Sequence, residues 1–573
     1  MGHVKFLPVP NRSLSERQVD WEPQHLSEWL QHLSGSALDQ SCEKICTVLQ
    51  QLNRERMEPG LHKQHLDEIA VYIKLFETRI DSLYLESPMM LPEYQQHCVE
   101  WLVWSLIRLA EGYHRAADSI EGKEAKAACL YQGFWAFGRA YLHIAAVYCD
   151  PPDEFWLMCY RGYAAAAQKG LLDIALADEN RQQITINQLF KLLLVFNLCD
   201  LRQFRPREMR RVFRFLQQFS GQLTLHSRID EGRGKGLFVV NLQEDRPPLD
   251  VAKHPDLLHE PGCLFFAPAR LAKTIFQALQ QERGQTGQLK ALNKVVLMRM
   301  IKTLGQTQSR KFQRKKEERQ FRGIIGFDNI RDFLHKETEK PAVKKAAPPR
   351  PGRPYEYDTS QFDIVAEGDE VVFQMGEHLR KKFGNDERIN KILAASGGLS
   401  GQINVWDNKN HGKRATDIDI NGFDVVNSSA KGYGIAINNR QAKVKVGDLF
   451  AIVEEDSTAG MELAIIRHIR RLFGDQLYLG VELIGLAQEG VLVQGVGEQV
   501  KQTKAIFLPA IKALQQPDTL IYSSPEFNSG EFVNIKKGNQ QIRCRLNKLL
   551  NSTSSFCQAE LFYPKIEEAG AES

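Results

Sequence analysis

The chain has 573 residues, 43% hydrophobic and 25% charged, with a formal net charge of +4. This is ordinary globular composition, with room for roughly three or four domains of ~150 residues, each able to bury a sizeable core. The balance excludes a polycation, so any phosphate or nucleic-acid affinity must sit in local patches.

The first segment, MGHVKFLPVPNRSLSER, contains no apolar stretch of signal-peptide length. Apolar runs such as Leu192–Phe196 are far too short to span a bilayer. A cytoplasmic protein without a membrane span is expected. From about residue 24 to 220, apolar residues recur at helical spacing: Leu26, Trp29, Leu30 and Leu33; Ile69, Tyr72, Ile73 and Phe76; Trp101, Leu102, Leu106 and Leu109. Pro92 sits where a helix can begin, and Pro151-Pro152 separates two more. Phe155 to Ala175 alternates bulky and small residues, as helical hairpins do, yet no fixed repeat period emerges. The ten cysteines form no C-x-x-C pair, and Cys42 and Cys46 lack further ligands nearby in sequence. Buried, reduced thiols are expected, and no metal.

Near 221 the pattern changes. Gln222–His226, Gly236–Leu242 and Gly262–Ala267 read as strands, and Ala269–Gln281 and Leu289–Lys302 as helices. The turn Glu231–Gly236 lacks P-loop spacing and reads as a hairpin turn. A basic run follows, Arg310 to Arg322, leading into a strand at Gly323–Phe327 and a short helix at Asp328–Lys336. Lys340 to Tyr357 is rich in Pro, Ala and Lys, the composition of a linker. Beyond about 416, short strands alternate with Gly-Asp turns, which suggests an antiparallel barrel.

Between two of those strands lies Asn427-x-Ser429-x-x-Gly432. Asn and Ser side chains fold back onto such a turn while presenting polar groups outward, and glycine permits close approach of a ligand. The basic run carries Arg310, Arg314, Arg319 and Arg322. An arginine fork matches the O6 and N7 acceptors of guanine and stacks on its ring, and further cations suit phosphates.

These residues resemble the PilZ domain, a family that binds cyclic di-GMP through an R-x-x-x-R segment before the first barrel strand and a later [D/N]-x-S-x-x-G turn. Asn427, Ser429 and Gly432 fill the second mark, and Gly447-Asp448-Leu449 and Leu479–Leu483 also resemble PilZ barrels. The resemblance implies a cyclic di-GMP receptor with Arg310, Arg314, Arg319, Arg322, Asn427, Ser429 and Gly432 as ligand contacts. It also implies a basic arm that folds over the nucleotide, and a helical region that passes the signal to a protein partner. No cofactor and no catalysed reaction are expected. G-x-S-x-G, H-E-x-x-H, Walker and Rossmann motifs do not occur in a fitting context.

Two points stay open at this level. Over a hundred residues separate Arg314 from Asn427. Either the arginine strand opens the barrel and 328 to about 415 is an insertion, an arrangement that costs little loop entropy, or the barrel lacks its arginine segment. The arginine register is also unsettled: Arg310 and Arg314 have the family spacing, whereas Arg322 lies closest to Gly323 but has Glu318 four residues before it. The whole reads as an α+β multidomain chain: an all-α helical domain over 1–220, a small α+β module over 221–305, a split PilZ-like β-barrel from 306–335 and 416–500, a linker or insertion over 336–415, and a β-rich extension over 501–573. The competing readings are a ligand-free scaffold and a nucleic-acid binder, the latter because Phe312 and Phe321 interleave with basic residues.

Overall fold

The structure is a computed structural model that describes residues 19–177, 182–229, 236–281, 294–305, 315–338, 366–367, 370–371, 420–429, 431–437, 443–453, 461–472, 476–486, 488–496, 502–510, 517–523, 526–537, 540–553 and 555–564. The chain divides into two units, Met1–Arg331 with Asp419–Ser573, and Asp332–Ile418. In the second, the described residues are the end of a helix and a minimal hairpin, noted below.

Among the described residues, eight helices fill the amino-terminal part: α1 (Pro23–Ser34), α2 (Leu38–Leu52), α3 (Pro59–Tyr84), α4 (Glu93–Ser119), α5 (Lys123–Ala146), α6 (Phe155–Gln168), α7 (Ile186–Leu198) and α8 (Pro206–Phe219). Proline opens α1, α3 and α8, where its missing N–H costs nothing. A reciprocal capping box starts α7, with Gln188 N donating to Thr185 Oγ1 at 3.1 Å and Thr185 N to Gln188 Oε1 at 2.8 Å. Aromatic residues form much of the helical core: Phe134, Phe137, Phe155, Phe190 and Phe196 are fully buried, and Phe134 with Phe190 and Phe137 with Phe155 meet edge to face. Inside this core His143 bridges α5 and α3, Nδ1 accepting from Tyr84 at 2.7 Å and Nε2 facing Glu77 at 2.9 Å. All ten cysteines are buried and unpaired in disulfides.

A short hairpin, β1 (Leu176–Ala177) and β2 (Gln183–Ile184), precedes α7. The small module holds β3 (Phe238–Asn241), β4 (Leu249–Asp250) and β5 (Cys263–Phe266) in the order β4-β3-β5, then α9 (Ala269–Gln281) and α10 (Lys294–Gly305). The expected strand at 222–226 reduces to one bridge, His226 to Phe265. The Glu231–Gly236 turn lies outside the described residues up to 235. Leu271, Ile275, Leu297 and Met300 of α9 and α10 join the helical core rather than forming one of their own.

The first barrel is closed by β6 (Lys315–Ile325), β9 (Ile420–Ser429), β10 (Gly432–Ile437), β11 (Leu449–Val453), β12 (Glu462–Leu472) and β13 (Gln476–Leu486), in the order β10-β13-β12-β11-β6-β9. Helix α11 (Phe327–Thr338) follows β6 directly, and the hairpin β7 (Ala366–Glu367) and β8 (Glu370–Val371) lies farther on. The arginine-bearing strand therefore does open the barrel: β6 pairs with both β9 and β11, although residues 326 to 419 intervene in sequence. Closure leaves no exposed edge among these six strands.

The second barrel contains β14 (Glu489–Gly495), β15 (Gln502–Leu508), β16 (Thr519–Ser523), β17 (Phe532–Lys537), β18 (Gln540–Ser552) and β19 (Phe556–Phe562), in the order β14-β15-β16-β19-β18-β17. β14 falls inside the 416–500 span read from sequence as the first barrel, yet it pairs with β15 and β17. The helices hold the first barrel through its β11–β12 side. Met89 and Val444 exchange both backbone hydrogen bonds at 2.9 Å, Arg205 Nε donates to Val446 O at 2.7 Å, and Arg470 Nη2 to Asp150 Oδ2 at 2.8 Å.

Candidate functional site

β9 turns into β10 through the Asn427-x-Ser429-x-x-Gly432 segment. Ser429 Oγ donates to Gly432 O at 3.1 Å and clamps the turn, and Leu483 N donates to Lys431 O at 2.9 Å. The hairpin tip is thus pressed against β13. A Cβ on Gly432 would stand 1.9 Å from Val481 O, and the residue has φ 153°. No other residue type fits there without moving a strand.

Alternation decides which side chains face out. Ile435, Leu479 and Ile469 are fully buried inside the barrel. Their neighbours Gly434, Gly480 and His468 therefore face outward, and the register aligns them with Asn427 and Lys316. The result is a row across five strands, Lys316–Asn427–Gly434–Gly480–His468. The next row carries Ala436, Tyr478 and Arg470. Gly434 is buried beneath the Tyr478 hydroxyl and the Asn427 amide, and Gly480 leaves a shallow trough between Asn427 and His468. Tyr478 lies along the floor, its ring 6.3 Å from that of His468 and edge-on to it, and its hydroxyl accepts from Asn427 Nδ2 at 3.3 Å. A shallow trough with polar walls and an aromatic side suits a flat, hydrogen-bonding ring.

β6 brings positive charge to the trough. Lys315 pairs with Ser428 and Lys316 with Asn427, and both lysines are exposed. Beyond the trough, Arg467 Nε donates to Glu482 Oε2 at 2.8 Å and its Nη2 to Asn551 Oδ1 of β18 at 2.9 Å.

Of the residues singled out from sequence, Asn427, Ser429 and Gly432 are together at the turn. Arg310 and Arg314 lie outside the described residues, immediately before Lys315 in the chain. Arg319 pairs through its backbone with Val425, and its side chain is likewise outside the description. Arg322 is exposed at the far end of β6, opposite Gly422 and Val453. Five residues of strand separate Gly422 from Asn427, about 16 Å at ~3.3 Å per residue. Lys315, Lys316 and Tyr478 were not singled out, because only the strand register brings them to the turn. Among the described residues no group of three or more His, Cys, Asp or Glu side chains could hold a metal ion.

Three family models match consecutive parts of the chain: "Cyclic-di-GMP receptor FimW, N-terminal domain" over residues 24–230, "Cyclic-di-GMP receptor FimW, middle PilZ domain" over 237–488, and "FimW C-terminal beta-barrel domain" over 491–562. The chain is similar to the cyclic-di-GMP receptor FimW of Pseudomonas aeruginosa, with 20% identity over 562 residues, covering 94% of this chain and 90% of the relative. No solved structure matches.

Proposed function

Because the chain is a PilZ-domain protein with a helical amino-terminal region, we propose that it is a receptor for cyclic di-GMP, bound on the outer face of the first barrel. One observation carries the reading. β6 pairs with β9 in a register that sets Lys315 and Lys316 beside Ser428 and Asn427, so the basic run passes the polar turn although a hundred residues separate them in sequence. The match to a relative named as a cyclic-di-GMP receptor supports the same ligand.

In this reading Arg310 and Arg314 direct their forks at the guanine O6 and N7 acceptors and at the phosphates. Arg319, on β6 itself, is the next candidate. Asn427 and Ser429 hold the base and phosphate from the other side. Nothing here calls for a bond to be made or broken, so the protein acts by binding. The ten buried thiols without disulfides fit a reducing compartment such as the cytoplasm.

The output runs through the strands that flank the trough. Arg470, one strand position from Tyr478, is tied to Asp150 of the helical domain, and Arg467 is tied to Asn551 of the second barrel. Binding of the nucleotide at the turn shifts the populations of these contacts, and the helical region presents the change to a protein partner.

Calorimetric titration of the full chain tests the arm. Arg310→Ala with Arg314→Ala abolishes cyclic di-GMP binding in this account, and Arg322→Ala costs far less because of its position at the far end of β6. Undiminished affinity in the double variant overturns the arm assignment.

A further inference from the structure

The second barrel has two kinds of outer face. Val491, Val493, Val533, Ile535, Cys544 and Leu546 point inward and form its core, so the residues between them on β14, β17 and β18 point outward. On β15, β16 and β19 the outward side chains Ile506, Leu508, Ile521 and Phe556 are buried as well. They pack against the rest of the chain. Phe556 stacks on Phe327 with ring centroids 6.2 Å apart, and Leu508 lies over Gly485 of β13, where a Cβ would come within 2.8 Å of it.

The face made by β15, β14, β17 and β18 is exposed and basic. Strand register sets three rows on it: Gln502–Gln494–Asn534–Arg543, Lys504–Leu492–Lys536–Gln541, and Phe532–Arg545–Phe562, the last reaching β19. Lys504, Lys536, Arg543 and Arg545 are exposed, and Phe532 and Phe562 are 39% and 53% exposed. The rows contain no carboxylate. Among the described residues none of the four cations is in an ion pair, whereas Lys537, beside the face, meets Glu489 at 3.0 Å. The chain as a whole nearly balances 74 basic residues with 70 acidic ones, so this face is a local excess of positive charge that attracts an anion.

The other groups on the face select among anions. The Arg543 guanidinium lies 5.3 Å from the centre of the Phe532 ring, and Arg545 Nε donates to Gly530 O at 3.1 Å, which holds both forks beside the rings. Phe532 and Phe562 flank Arg545 two strand spacings apart, about 10 Å, or roughly three stacked-base steps of ~3.4 Å. Cations take phosphates, phenylalanine faces stack on bases, and side-chain amides hydrogen-bond base edges. A duplex hides the faces of its bases, and acidic side chains need only the cations. An unpaired strand uses the cations, the rings and the amides together.

We infer that this face of the second barrel binds single-stranded nucleic acid. The inference does not depend on the nucleotide site of the first barrel.

The test is fluorescence anisotropy of the full chain with a labelled mixed-sequence strand of about 12 nucleotides, as RNA and as DNA, against the same sequence as a duplex and against poly-glutamate. At least one of the two single strands binds more tightly than the duplex and poly-glutamate, and the comparison of RNA with DNA assigns the sugar. Affinity falls with salt at a log–log slope of about −2 to −3, from three or four phosphates at ~0.7 each. Phe532→Leu with Phe562→Leu keeps apolar bulk but removes the stacking faces, and weakens binding roughly tenfold or more with the slope unchanged. Lys504→Gln with Lys536→Gln makes the slope shallower by about 1.4. All four positions are exposed, so the melting temperature and the cyclic di-GMP titration stay as in the wild type; where the phenylalanine variant melts early, the lysine variant decides. Three results overturn the inference: no binding of either single strand at low salt, equal binding of the duplex or poly-glutamate, or wild-type affinity and slope in both variants. The last would place any binding elsewhere, as on the basic run before β6.

Discussion

Replacing Gly432 with alanine is the sharpest local perturbation of the site. The added methyl would sit 1.9 Å from Val481 O, 1.1 Å inside the 3.0 Å limit that real Cβ atoms respect, and would also approach Glu482 Cα at 3.1 Å. Both obstacles are backbone of β13, so no rotamer change relieves them. The tip of the β9–β10 hairpin must lift by about an ångström, which loosens the Leu483 N to Lys431 O bond and the Ser429 clamp. Overpacking of this kind costs about 2–3 kcal/mol. At 2–4 °C per kcal/mol, the transition of the barrel falls by roughly 5–10 °C in a calorimetric scan. The displaced Asn427 and Ser429 also weaken cyclic di-GMP binding by more than tenfold, of the order of 1.4 kcal/mol or more. A variant that melts and binds like the wild type refutes the claim that the turn is braced against β13.

Stability falls in acid through the helical domain. Burial pushes His114 down to about 4, and burial with Arg210 and Arg139 nearby pushes His143 well below its ordinary 6.5. Both are neutral when folded and take up a proton near 6.5 when unfolded, so their contribution is present above that pH and is lost as pH falls toward 4. By pH 5 the His114 shift costs roughly 2 kcal/mol, His143 acts in the same direction, and the urea midpoint of the helical transition should be lower at pH 5 than at pH 7; equal midpoints contradict the buried, neutral assignment. Asp150 sits between Arg202 and Arg470 and joins the helices to β12. Asp150→Ala should lower stability by roughly 1–2 kcal/mol and split the melting of the helices from that of the barrel, whereas a single unshifted transition would show that this link does not couple them.

The helices were legible because their apolar residues repeat at the helical period, and Pro92 marks the start of α4. The expected helix at Asp328–Lys336 lies within α11, and Ala269–Gln281 is α9 itself. β6 was only half legible. Its sequence, Lys315-Lys316-Glu317-Glu318-Arg319-Gln320-Phe321-Arg322, lacks apolar alternation, since Lys315, Lys316, Gln320 and Arg322 are exposed and full burial begins only at Gly323 and Ile324. A charged strand on the outside of a barrel looks like a solvated run. The expected strand at 222–226 failed for another reason. Five residues of alternating character were enough for the pattern, but β3 and β5 satisfy each other and leave His226 only one bridge to make. At the site, the Asn-x-Ser-x-x-Gly turn was readable because its chemistry is local. Tyr478 was not, since it meets Asn427 only through the pairing of β10 with both β9 and β13.

The central claim is tested most directly by isothermal titration of the purified full-length chain with cyclic di-GMP, with cyclic di-AMP and GTP as controls. The account predicts saturable binding of cyclic di-GMP and no comparable heat from either control at the same concentrations. A flat trace with cyclic di-GMP, or equal binding of all three nucleotides, would contradict it.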